Sequence, residues 1–145
     1  MAQGIGELTF KKIADLVMLP SKTIRNVDID KDGKIDGFEF DIREPFYTAQ
    51  PISSIESLTI TVDGEEIDPA RIYMILRDQI FNIKHARTFH ELWWHFGEVG
   101  RIYIEKPGGL EKGSHEIECS LVMRPAAGEY GFGKPTFLTR TTMKV

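Results

Sequence analysis

The sequence predicts an all-β fold: an antiparallel two-sheet β-sandwich with one or two short helices. Three observations carry this. Apolar and polar residues alternate over several short runs, β-branched residues recur in those runs, and turn signals separate them at short intervals. At 145 residues the chain is expected to be a single domain spanning residues 1–145, long enough for a real core.

The elements follow in order. Phe10, Ile13, Leu16 and Val17 recur at helical spacing within TFKKIADLVML, and Pro20 ends that run. Residues 1–21 are otherwise an N-terminal extension to which no structure is assigned. TIRNVDID and KIDGFEFDI form a hairpin across Lys31-Asp32-Gly33-Lys34, with Val27 and Ile29 on one face and the aspartates toward solvent. Within its second arm, Phe38, Phe40 and Ile42 share a face opposite Glu39, Asp41 and Arg43. Leu58, Ile60 and Val62 alternate with Thr59 and Thr61 up to the turn at Asp63-Gly64. Thr88 is placed to cap a single helical turn through Trp93, with Glu91 at the capping-box position. Ile102 and Ile104, then His115, Ile117, Cys119, Leu121 and Met123, repeat the two-residue alternation, and Phe137 to Val145 reads as a last strand. Pro107-Gly108-Gly109 and Gly131-Phe132-Gly133 supply the remaining turns.

Composition excludes several function classes. Hydrophobic content of 41% and charged content of 28% are ordinary for a soluble globular protein. A net charge of -4 leaves no basic stripe to neutralise phosphates, so no nucleic-acid partner is expected. No apolar run is long enough to span a bilayer, and the start lacks a signal-peptide pattern. With a single cysteine, Cys119, there is no intramolecular disulfide framework, and the cytoplasm is the expected compartment. Cys119 sits on an alternating apolar face, where a thiol is buried and inert.

One motif points to a metal. Asp28, Asp30, Asp32, Asp36 and Glu39 fall at positions 1, 3, 5, 9 and 12 of an EF-hand calcium loop, with Gly33 at position 6. The flanks disagree, because the segment that follows alternates as a strand and stops at Pro45, whereas an EF-hand needs an outgoing helix. The hairpin and the calcium loop are the competing readings. His90 and His95 are five residues apart and share no helix face, so they are not a metal pair, and His115 is placed to order its loop. There is no nucleophile elbow, P-loop or dinucleotide fingerprint, and no two carboxylates are paired by spacing as acid and base.

The aromatic residues point elsewhere. The strand Gly37 to Arg43 runs into Arg43-Glu44-Pro45-Phe46-Tyr47, and Pro51 follows. Rings held between two prolines make a stiff loop, which either packs on its own sheet or presents Phe46 and Tyr47 to a partner. Trp, Tyr and Arg are the usual anchors of protein interfaces, so Arg43, Phe46, Tyr47, Trp93 and Trp94 are the candidate interface residues.

The order of these segments carries a resemblance. Asn26-Val27, Gly37-Phe38-Glu39-Phe40, Arg43-x-Pro45-Phe46-Tyr47, Pro51-Ile52-Ser53, Val62-Asp63-Gly64-Glu65, Trp94-x-Phe96-Gly97-Glu98 and Pro107-Gly108-Gly109-Leu110-x-x-Gly113-x-His115 together resemble the small (beta) subunit of bacterial C-glycoside deglycosidases, from about Asn26 to Met123. The resemblance implies a lyase complex in which this chain is accessory. The partner would be a large xylose-isomerase-like TIM-barrel alpha subunit holding a divalent metal, usually manganese, and the catalytic base. The substrate would be a 3-oxo-C-glycoside, such as an oxidised flavonoid glycoside, and this chain would carry no catalytic residue and no cofactor. The alternative is a non-enzymatic β-sandwich module binding calcium or carbohydrate.

Overall fold

The computed structural model describes residues 5–124 and 134–145; the expected turn at Gly131-Phe132-Gly133 lies outside them. The chain opens with helix α1 (Ile5–Ile13), continued by a π turn (Ala14–Met18). Eleven strands follow among the described residues: β1 (Arg25–Val27), β2 (Gly37–Arg43), β3 (Gln50–Pro51), β4 (Ile55–Val62), β5 (Glu65–Glu66), β6 (Ile72–Leu76), β7 (Gln79–Asn82), β8 (Trp93–Trp94), β9 (Val99–Glu105), β10 (Ser114–Met123) and β11 (Thr136–Lys144). One antiparallel sheet has the order β1-β2-β9-β6-β7 and the other β11-β10-β4-β5, while β3 and β8 form a separate two-stranded ribbon. The fold is the all-β sandwich that the alternation predicts.

Alternation decides which residues make the core. Phe38, Phe40 and Ile42 on β2 and Ile117, Cys119, Leu121 and Met123 on β10 are fully buried and belong to one cluster that joins the two sheets. Gly37 is required where β2 meets β9, since a Cβ there would lie 2.1 Å from the carbonyl oxygen of Ile104.

The helix forms where expected but turns a different face inward. Phe10, Ala14 and Met18 are buried, whereas Leu16 is 81% exposed. The wider π turn keeps this four-residue spacing on the core side. The Phe10 ring meets Phe137 edge-on at 5.1 Å, and the Thr139 hydroxyl donates to Asp15 at 2.8 Å, fixing the helix to β11. The helical turn expected at Thr88–Trp93 is displaced: a 3-10 turn spans Ile83–Thr88, where the Asn82 side chain accepts from the Lys84 amide at 2.9 Å. Asn82 offers its carbonyl oxygen to an orphan amide, and that cap wins over the Thr88 pattern.

Strand register sorts the connections into two ends. Arg43 pairs with Val99 and Ile75 with Arg101, so the β2–β3 loop, the β6–β7 turn and the β8–β9 turn share one end of the five-stranded sheet. Gly37 pairs with Glu105 and Val27 with Gly37, which sends the aspartate-rich loop and the Pro107-Gly108-Gly109 turn to the other.

Candidate functional site

The sequence segments that carry the resemblance are distant in the chain, and the fold joins them in pairs. At the aspartate end, Asn26 clamps the glycine turn: its Nδ2 donates to the Leu110 carbonyl at 2.9 Å, and its Oδ1 accepts from the Leu110 amide at 3.0 Å. Gly109 lies against it with φ 70°, and a Cβ there would stand 2.3 Å from Asn26 Oδ1. His115 bridges the Asp63 carboxylate and the Glu111 carbonyl, each at 2.7 Å, while Asp63 also accepts from the Glu116 amide at 2.8 Å. The hydrogen bonds that His115 makes to the Asp63 carboxylate and the Glu111 carbonyl raise its pKa, and His115 in turn lowers that of Asp63. His115 therefore orders its loop. These pairs are fastenings of the sandwich.

The aspartate loop is not the tight turn expected. Ladder pairing ends at Val27 and Gly37, so residues 28–36 form one loop in which Ile29 is exposed instead of sharing a strand face with Val27. Nor do its aspartates disperse into solvent. Asp28, Asp30, Asp32 and Asp36 offer carboxylate oxygens within 4.8 Å of one another. They accept from the loop's own amides: Gly33 to Asp28 at 2.7 Å, Lys34 to Asp32 at 2.8 Å and Ile29 to Asp36 at 2.9 Å. Desolvation within the loop, with the neighbouring carboxylates, raises Asp30 to about 6. Glu39, the twelfth position of the motif, is not part of this cluster. It sits on β2 between Arg25 at 2.8 Å and Arg101 at 3.0 Å, and Arg25 also holds Asp41 at 2.8 Å.

The other end exposes apolar surface. Of the interface candidates, Tyr47 is 53% and Trp93 41% exposed, and Arg43 is half-buried. Phe46 and Trp94 are each 1% exposed, so for these two rings the structure takes the core packing that the sequence leaves open beside an interface role. Phe46 is a core ring whose outer side supports Tyr47 at 4.4 Å and whose inner side meets Phe137 at 6.3 Å. Adjacent strand residues point to opposite faces, so of the Trp93–Trp94 pair only one could enter the core. Phe96, 69% exposed, and Val99 extend the apolar set, and neither is among the interface candidates expected from the sequence.

Glu98 organises this end. Its carbonyl accepts from the Trp94 indole at 2.9 Å and from the Glu44 amide at 3.0 Å. Its carboxylate accepts from the His95 amide at 3.0 Å and pairs with Arg77. Arg77 also donates to the Trp93 carbonyl at 2.8 Å. Beside them lies the Glu44 side chain, 2% exposed, with no hydrogen-bond partner among the described residues for either carboxylate oxygen. Burial lifts it to about 8, against the smaller lowering effect of the Gly97 and Phe46 amides. Cys119, fully buried between the sheets, has its thiol pushed up to about 12 by burial and is inert.

This arrangement is that of a β-sandwich with one fastened end and one end of exposed rings. Comparison with known proteins agrees with the segment order. Residues 14–126 match the family model described as C-glycoside deglycosidase beta subunit. The chain is 34% identical over 113 residues to the 3'-dehydrocarminate deglycosidase beta subunit of a Microbacterium species, covering 74% of this chain and 80% of the relative. It is 26% identical over 101 residues to the C-glycoside deglycosidase beta subunit of Eubacterium cellulosolvens, covering 70% of this chain and 68% of that protein. The chain belongs to the C-glycoside deglycosidase beta subunit family.

Proposed function

We propose that residues 1–145 form one domain that serves, in the cytoplasm, as the small accessory subunit of a complex cleaving the C1–aglycone bond of 3-oxo-C-glycosides. The partner is a larger, xylose-isomerase-like TIM-barrel subunit that holds the catalytic base. The family match carries this reading, and the exposed rings at one end of the sandwich support it, since a subunit must offer apolar surface to its partner. The relative named for a 3'-dehydro substrate supports an oxidised sugar. No helix among the described residues is long and apolar enough to cross a membrane.

The chemistry follows from the ketone. A carbonyl at C3 of the sugar acidifies the proton at C2. A base removes that proton, the electron pair forms the C1–C2 double bond, and the C1–aglycone bond breaks. Its electron pair leaves with the aglycone carbon, which is then protonated. A divalent metal in the larger subunit, manganese by the resemblance, would stabilise the negative charge that develops on oxygen. This chain's residues complete the surroundings of that site and hold the assembly together.

Co-expression tests the reading. Tagged chain is expected to bring down a stoichiometric TIM-barrel subunit encoded beside it, and to self-associate when expressed alone. A monodisperse monomer that captures no such subunit would refute it.

A further inference from the structure

We infer that the β8–β9 turn, Trp93 to Val99, is the tip that docks into the larger subunit, and that Arg77 is the positioning residue that presets it. This rests on the accessory-subunit reading. Trp93, Phe96 and Val99 expose three large apolar side chains within seven residues, and Tyr47 adds a fourth from the loop tied to the turn by the Glu44 amide. Of the other exposed large apolar side chains among the described residues, Leu16 and Leu138 lie on separate elements, and Ile29 and Ile35 share the aspartate loop, with Ile29 and Ile80 lining one recess; none of these is a ring. Single exposed apolar residues are normal, whereas a cluster of rings marks a contact surface.

A second observation falls at the same place. Glu44 is the one residue, among those described, with buried side-chain polar atoms that lack a hydrogen bond of normal geometry; the Phe46 and Gly97 amides lie close enough only to offset part of the burial effect. Native chains satisfy buried polar groups, so an orphan carboxyl points to a region that is incomplete in the isolated subunit. Beside the tip, Arg77, Phe89, His90 and Leu92 line a recess of about 530 Å³ that can receive side chains of the partner.

The turn is held for docking in advance. Arg77 occupies the two-residue β6–β7 turn with φ 56°, a left-handed conformation that few non-glycine residues adopt. From there its guanidinium reaches across to two acceptors, the Glu98 carboxylate and the Trp93 carbonyl. It thus ties both ends of the ring-bearing turn to the five-stranded sheet. With the His95 and Trp94 bonds to Glu98, little freedom remains for the turn to lose when it docks. Lysine at this position carries a point charge and lacks the fork that spans both acceptors.

The test uses the purified two-subunit complex, with affinity measured by titrating this chain into the larger subunit. Phe96→Ala removes an exposed ring without touching the core and is expected to weaken binding about 30-fold, as for a central aromatic anchor. Arg77→Ala is expected to weaken it about 10-fold while tryptophan fluorescence becomes more accessible to acrylamide, because Trp94 is buried and Trp93 is released. Arg77→Lys should restore part of the affinity. The inference is overturned if the wild-type chain binds and Phe96→Ala stays within twofold of it, or if Arg77→Ala loses affinity with no change in quenching. Failure of the wild-type chain to bind any larger subunit would overturn both this inference and the reading on which it rests.

Discussion

Glu44 makes a sharp energetic prediction. It is 2% exposed, neither carboxylate oxygen has a hydrogen-bond partner among the described residues, and burial raises it from the ordinary 4.5 to about 8. The folded chain therefore keeps a proton that the unfolded chain releases. Stability from this group is fully present below pH 4.5, is lost as pH rises toward 8, and is flat beyond. Holding that proton at pH 7 costs about 3 kcal/mol at 1.36 kcal/mol per pH unit. Methionine has similar length, no proton to hold and no oxygen to leave unsatisfied. Glu44→Met is thus expected to raise Tm by about 6–12 °C at pH 7, using 2–4 °C per kcal/mol for a domain near this size. The assay is thermal unfolding by circular dichroism of both chains between pH 4.5 and 8.5. The gap should close toward pH 4.5. A gap that does not change with pH would show Glu44 to be solvated or paired, and a lower Tm for Glu44→Met at pH 7 would refute the reasoning outright.

Three further outcomes are expected. Tyr47→Ala should weaken association with the larger subunit by about 10- to 30-fold and leave the circular dichroism spectrum unchanged, because the ring is half-exposed and rests on Phe46 without entering the core; collapse of the fold would instead make Tyr47 structural. His115 has a raised pKa, so its bond to Asp63 stabilises the folded chain below pH 6.5 and that contribution fades as pH rises through the folded value; His115→Gln should abolish this part of the Tm profile, and an unchanged profile would sink the assignment. Millimolar calcium should move Tm by less than about 1 °C, because Glu39 is engaged by Arg25 and Arg101; a chelator-reversible rise that Asp28→Ala removes would establish a calcium site instead.

The long strands were legible because one face of each is buried and their side chains alternate accordingly, as Ile117 to Met123 illustrates. The β6–β7 hairpin was not foreseen. Its two-residue turn is Arg77-Asp78, an arginine in a conformation usually assigned to glycine or asparagine, so no turn signal marks it. The helix was visible, but its inward face was not, since the π turn shifts the register that an α-helical period predicts. At the candidate site, Tyr47 and Trp93 could be read as rings near loops. Choosing between Trp93 and Trp94, or between Phe46 and Tyr47, required knowing which face meets the core. Phe96 is another ring beside a loop, but nothing local marks it as an interface candidate. Glu98 and Arg77 act through contacts between residues far apart in the chain, which no local pattern encodes.

Steady-state turnover of a 3-oxo-C-glycoside measures the central claim most directly, with the larger subunit held fixed and this chain added in increasing amounts. Turnover should be at background for either subunit alone and should rise to saturation as this chain is added. Equal turnover by the larger subunit without it, or turnover by this chain alone, would contradict its assignment as an accessory subunit.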